Sequence, residues 1–239
     1  MQIMSYNVFT DDINQLQITQ GKQIINTINP HSYVTAKSDS LFETALRDSD
    51  ILLPDGSGIV IAAQKLHGLQ IKKIAGTDLH LHLLQQLNNG HGKCFYMGAS
   101  QSTLDKIKEK LAVEYPNITA VFYSPPFKPE FSDEDNAAIL KAVNDFEPDV
   151  LFVGMTAPKQ EKWLHQHKAA LNIKIACSIG AVFDFYAGTV IRPSQFWINI
   201  HLEWFPRLLK EPKRLWRRNF VSTPLFLWDL MMYKAGIKK

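Results

Sequence analysis

The stretch from residue 93 to 177 constrains this chain most. Four apolar runs, at 94–97, 120–123, 150–153 and 173–177, alternate with three amphipathic segments at 102–114, 133–146 and 159–170. Short, continuously apolar runs suit strands buried on both faces. Alternating with helices, they predict an α/β fold: a Rossmann-like parallel sheet with flanking helices. Such sheets take ligands beyond the carboxyl ends of their strands. Those ends are Met97-Gly98-Ala99-Ser100, Gly154-Met155-Thr156-Ala157 and Ile179-Gly180-Ala181. Each is small and backbone-rich, and the first two lead into a helix, where unpaired N–H groups and the helix dipole favour an anion such as a diphosphate. Gly98, Gly154 and Gly180 are therefore candidate ligand contacts.

Upstream, the pattern is shorter. A strand–helix start is followed by a strand at 24–28, which Pro30 ends by biasing Asn29 to an extended form. Helical spacing runs from 32 to 47. A strand at 50–53 closes on Pro54-Asp55-Gly56-Ser57-Gly58, a helix covers 59–66, and Thr77 or Asp78 caps another over 79–87. The expected organisation is an α/β domain over 1–195, with an N-terminal lobe at 1–92 and a Rossmann-like part at 93–195. A C-terminal helical appendage follows at 196–239.

Charge separates the appendage from the rest. The net charge is +3, yet residues 201–239 hold nine Lys and Arg against three Asp and Glu, so the first 200 residues are net negative. Trp197, Trp204, Trp216 and Trp228, four of the five tryptophans, fall in or just before that stretch. A basic body would suggest nucleic acid, and this body is not basic. A basic, Trp-rich segment suits an anionic membrane surface, because indoles settle at headgroup level and cations at anionic lipid. Arg207, Lys213, Arg214, Arg217 and Arg218 are the candidate contacts. The alternative is a solvated helix whose tryptophans pack on the body or on a second copy in a homo-oligomer. The opening residues lack a basic and apolar leader, and no 18-residue apolar window occurs, so the expected location is cytoplasmic. Cys94 and Cys177, the two cysteines, sit in apolar runs and read as buried thiols.

Two segments can carry chemistry. Asp55 leaves a strand beside two glycines, either as a general base on a bound hydroxyl or as a turn aspartate bonding its own backbone. In Gly154-Met155-Thr156-Ala157-Pro158-Lys159-Gln160-Glu161, Pro158 fits the first helical position, and Gln160 and Glu161 either face a ligand or complete a well-formed helix start. His165 and His167, two apart on a helix, cannot share a metal. The sequence has no HExxH, CxxC, phosphate-loop lysine motif or Asp-x-Asp, and the missing GxGxxG weighs against a nicotinamide enzyme.

In order, the chain carries Asn26-Thr27-Ile28-Asn29-Pro30, Leu53-Pro54-Asp55-Gly56-Ser57-Gly58, Ile74-Ala75-Gly76-Thr77-Asp78-Leu79, the Ala157-Pro158-Lys159-Gln160-Glu161 block, Ile179-Gly180-Ala181-Val182-Phe183-Asp184-Phe185, and Glu203-Trp204 leading to Arg207 and Glu211-Pro212-Lys213-Arg214. This set resembles the WecG/TagA/CpsF family of bacterial glycosyltransferases over about residues 24–219. The resemblance implies a GT-E-type glycosyltransferase fold and inverting transfer from a UDP-sugar to a polyprenyl-diphosphate-linked saccharide, with no metal or other cofactor. It implies Asp55 as catalytic base, with Thr27, Asn29, Gly56 and Gln160 as substrate-binding residues. Lys73 stands where the family often has arginine, a point charge in place of a fork. The basic tail would hold the lipid diphosphate and the inner face of the cytoplasmic membrane. N-acetylmannosamine, its uronic acid, glucuronic acid and glucose are the donor sugars in view. A nucleotide-sugar-binding protein without catalysis is the alternative.

Overall fold

The structure is a computed structural model that describes residues 1–19, 21–190, 197, 208 and 212–237. The chain opens on two short antiparallel strands, β1 (Gln2–Ile3) and β2 (Tyr6–Asn7), and a 3-10 turn at Ile13–Gln15, where a strand–helix start was expected. Met4 and Ser5, both at positive φ, make the tight turn. β3 (Gln23–Ile28) follows. The helical spacing from 32 to 47 resolves into two helices, α1 (Pro30–Ala36) and α2 (Ser40–Arg47). The break is a capping event: Asp39 is extended and its carboxylate accepts the Phe42 N–H, starting a new helix.

β4 (Ile51–Pro54) leads through the Asp55 turn into α3 (Ser57–His67), and α4 (Gly76–Gly90) follows. α4 begins earlier than expected because the Asp78 carboxylate reaches back to the Ala75 N–H at 2.9 Å. Then come β5 (Lys93–Gly98), α5 (Gln101–Glu114), β6 (Thr119–Tyr123), α6 (Asp133–Phe146), β7 (Val150–Gly154), α7 (Lys159–His167), β8 (Ile175–Ser178) and α8 (Val182–Tyr186). Pro158 stands one residue before the helix, after a cis peptide bond, not at its first position. The segment at 212–237 holds α9 (Pro212–Trp216), a π-helical turn at Arg217–Ser222, and α10 (Thr223–Lys234).

β3 to β8 form one six-stranded parallel sheet in the order β4-β3-β8-β7-β5-β6. The apolar runs bury both faces. On one side Tyr96, Phe152 and Cys177 pack under α4, α5 and α8; on the other Phe95, Leu151 and Val153 pack under α6 and α7. A third cluster joins β1, β2 and α1–α3 to Phe226 and Leu230 of α10. Cys94 and Cys177 are fully buried free thiols, and burial pushes both well above their ordinary pKa. Parallel pairing brings every carboxyl end to one rim. The connections from β5 and β7 leave in opposite directions, so the switch point of the sheet lies between Gly98 and Gly154.

Candidate active site

The rim reads in strand order. Asp55 follows β4, Asn29 follows β3, Gly180 follows β8, and Gly154 and Gly98 end β7 and β5. At about 4.8 Å per strand, Asp55 and Gly98 stand about 19 Å apart along it.

At the first end, the Asp55 N–H donates to the Ile28 carbonyl at 2.9 Å, so the aspartate continues the pairing of β4 with β3. Gly56 then turns at φ 102°, ψ 149°, a region that only glycine occupies cheaply. Its missing side chain also faces Asn29 and Pro30. Asn29 caps α1: its Oδ1 accepts the N–H groups of His31 and Ser32, both at 3.0 Å, while Ser32 Oγ takes the Asn29 N–H. Thr27, two residues back on β3, pairs in register with Leu53. The Ile74 N–H donates to the Pro54 carbonyl at 2.9 Å, which lays the half-buried Lys73 beside the Asp55 turn. Lys72, by contrast, turns away to Asp12 at 2.7 Å.

At the switch point, Gly98 (φ 122°) and Gly154 touch backbone to backbone. A Cβ on Gly98 would lie 2.5 Å from the Gly154 oxygen, and one on Gly154 would meet the Phe183 ring at 2.4 Å. The Ala99 N–H donates to the Gly154 carbonyl, closing the crevice floor. Between the two ends stands Gln160. It is buried, its Oε1 accepts the Gly180 N–H at 3.0 Å, and its Nε2 donates to Glu161 Oε1 at 2.9 Å. Burial pushes the Glu161 carboxyl up to about 7.

The C-terminal segment packs against the Asp55 end. Phe226 lies against Tyr33 of α1, ring centroids 5.3 Å apart, and a Cβ on Gly58 would stand 3.5 Å from Phe226. Asp229, buried, takes Lys37 Nζ at 2.6 Å and the Tyr33 hydroxyl at 3.2 Å. His31 Nδ1 and Ser222 Oγ are 2.9 Å apart. Burial, then the charges of Arg218 and Arg217, hold the His31 imidazole below its ordinary pKa. The basic π-turn therefore sits against the residue two positions after Asn29. Arg207 lies outside the described residues, as do the side chains of Lys213 and Arg214.

The structure thus gathers Asp55, Gly56, Thr27, Asn29 and Lys73 on adjoining backbone at one end of the rim, sets the charges of Arg217 and Arg218 beside His31, and separately pairs Gly98 with Gly154. Gln160 and Gly180 bridge the two groups. Sequence reasoning missed the pairing of Asp229 with Lys37 and Tyr33, 192 and 196 residues away, which carries no local signal. Among the described residues, no three His, Cys, Asp or Glu side chains are placed to hold a metal ion. No helix among them is long and apolar enough to cross a membrane.

A parallel sheet of this order, with a carboxylate turn at one end and a glycine crevice at its switch point, is a doubly wound α/β protein built to take a ligand across its carboxyl rim. Residues 1–239 match the Glycosyl transferase WecG/TagA/CpsF family, and the chain is a member of it. It is 31% identical over 215 residues to the N-acetylglucosaminyldiphosphoundecaprenol N-acetyl-beta-D-mannosaminyltransferase of Bacillus subtilis (strain 168), covering 90% of this chain and 81% of that one. The proteins of the same name from Bacillus spizizenii (strain ATCC 23059 / NRRL B-14472 / W23) and Staphylococcus aureus (strain MW2) are 28% and 27% identical. Those matches cover 97% and 99% of this chain, and 88% and 89% of theirs.

Proposed function

We propose that this glycosyltransferase moves N-acetylmannosamine, or its uronic acid, from a UDP-sugar to a polyprenyl-diphosphate-linked N-acetylglucosamine in cell-surface polymer synthesis. The names of the three relatives support the sugar and the acceptor. The observation that carries the reading is the adjacency of Asp55 to the β3 end that carries Asn29, with the basic Arg217–Arg218 turn against His31 of the helix Asn29 caps and the Gly98–Gly154 crevice at the far end of the rim. A diphosphate-linked acceptor would enter on the cationic side and a nucleotide would lie toward the crevice.

Asp55 takes the proton of the acceptor hydroxyl as its oxygen attacks the anomeric carbon. The bond from that carbon to the UDP oxygen breaks on the opposite face, so configuration inverts. The departing diphosphate gains charge, which Lys73 and helix N-termini offset without a metal. Thr27 and the Asn29 amide orient the sugar, and Gly56 lets it approach the backbone. This architecture is the GT-E type.

The appendage holds the enzyme at the inner face of the cytoplasmic membrane. One face of 212–237 docks on α1 and α3. Its other face carries Trp216, Phe220, Leu225, Trp228 and Met231, all exposed, beside Arg217. Exposed indoles beside cations are the composition of an interfacial segment.

The test is UDP release from a panel of UDP-sugars with polyprenyl-diphosphate-N-acetylglucosamine as acceptor and EDTA present. Acceptor-dependent release from one donor is expected. UDP-sugar binding without release from any donor would instead identify a binding protein.

A further inference from the structure

Glu161 is 3% exposed, and it has no cation within ion-pair distance among the described residues. Its Oε1 accepts the Gln160 amide, and its Oε2 has no hydrogen-bond partner. It is not alone. Asn26 Oδ1 and Ser178 Oγ are also buried without partners. Asn26 and Ser178 follow the paired Ile25 and Cys177 on β3 and β8, so strand alternation puts both on the sheet face that α7 covers. Ile24 and Ala176 on that face pack with Trp163 and Leu164 of α7. A polar layer therefore lies just below the rim, at Ser178 two residues before Gly180 and Asn26 three before Asn29, where an apolar layer would be more stable. A polar layer kept at that cost points to a role other than packing.

Its outlet is Gln160. The amide is clamped at both ends, by Glu161 on one side and the Gly180 N–H on the other. Gly180 has no room to yield: a Cβ there would stand 2.8 Å from the Met155 oxygen. The three-part strut ties α7 to the β8 turn, next on the rim to the β3 end that carries Thr27 and Asn29.

We propose that Glu161 is a positioning residue for sugar transfer, acting through Gln160 to fix the Gly180 turn between the Asp55 end of the rim and the Gly98–Gly154 crevice. It touches neither donor nor acceptor. Glutamine at 161 can still accept the Gln160 amide, whereas leucine cannot. The inference rests on the transfer reaction proposed above, so its test has one arm that needs no activity.

The experiment compares wild type, Glu161→Gln, Glu161→Leu and Gln160→Leu in acceptor-dependent UDP release and in hydrogen exchange at the Gly180 amide. Leucine at 161 should lower kcat by about 10- to 100-fold, the worth of a small misplacement of reacting groups. It should speed Gly180 exchange while leaving thermal stability equal or higher, and glutamine should recover most of the rate. Wild-type kcat in Glu161→Leu overturns the role, as does a glutamine variant as slow as the leucine one. Should Glu161→Leu not fold, Gln160→Leu removes the strut from its other end, and wild-type kcat there overturns the proposal equally. If wild type itself transfers no sugar, the reaction reading falls, and unchanged Gly180 exchange in Glu161→Leu then disposes of the strut separately.

Discussion

Replacing Phe226 with alanine separates the appendage from the body. The ring is 1% exposed, packed edge-on to Tyr33 and set over Gly58. Truncating a buried Phe to Ala costs about 3–5 kcal/mol. That loss need not unfold the sheet, because α10 has 12 residues and is marginal as an isolated helix. What else holds α10 is its contacts with α1 and β1–β2: Asp229 to Lys37 and Tyr33, buried Leu230, and Tyr233 to Ser5 at 3.3 Å. The lost energy should therefore appear as local opening. Amide exchange in residues 223–234 should speed by about 10²–10⁴-fold, since each 1.4 kcal/mol is tenfold. Exchange in β5 and β7, the fully buried centre of the sheet, should not change. Transfer to the lipid-linked acceptor should fall with the docked fraction. Hydrogen exchange read by mass spectrometry decides the matter. Unchanged exchange in α10, or equal acceleration everywhere, would refute the reasoning.

Three further outcomes follow from the same contacts. Gly98→Ala drives a Cβ into the Gly154 carbonyl at a φ of 122° and should cost about 2–6 kcal/mol from strain plus overpacking; urea unfolding would show it, and wild-type stability would contradict the close approach. Native Glu161 holds its proton to about pH 7, against an ordinary 4.5, so unfolding releases that proton between these values. Glu161's contribution to stability should therefore be full below pH 4.5, fall by about 3 kcal/mol as pH rises to 7, and level off above it, superimposed on the opposite slope of buried His80, whose pKa is pushed down to about 3. Glu161→Gln should lack that fall, and parallel stability–pH curves would contradict it. Trp216→Ala with Trp228→Ala, both sites more than half exposed, should leave stability within about 0.5 kcal/mol yet reduce sedimentation with anionic liposomes. Equal sedimentation would remove the indoles from the membrane contact.

How much was legible beforehand depended on the range of the interactions. The strands at 94–97 and 150–153 were readable because double burial makes each run apolar on its own, and the half-buried edge strand at 120–123 because Val121, Phe122 and Tyr123 favour extended backbone. The rim glycines were readable as strand ends because Gly98 and Gly154 interrupt those runs. Strand order was not, since nothing local tells β8 to insert between β3 and β7. The break between α1 and α2 was missed because the apolar spacing continues across Asp39, whose capping bond outweighs it. Asp55 had two local readings, and the residues alone did not choose between them. Gln160 and Glu161 looked like either ligand groups or a helix start; the structure makes both part of a buried clamp, visible only once β8 is placed. The docking of α10 rests on Asp229 meeting Lys37 and Tyr33, a contact with no short-range signature.

The central claim is that Asp55 is the base of an inverting transfer at the end of β4. Its most direct test is Asp55→Asn, measured side by side for UDP-sugar binding by calorimetry and for acceptor-dependent UDP release. The account predicts binding near that of wild type and a rate lower by about 10²–10⁴-fold, the usual worth of a general base. Release at the wild-type rate would contradict it.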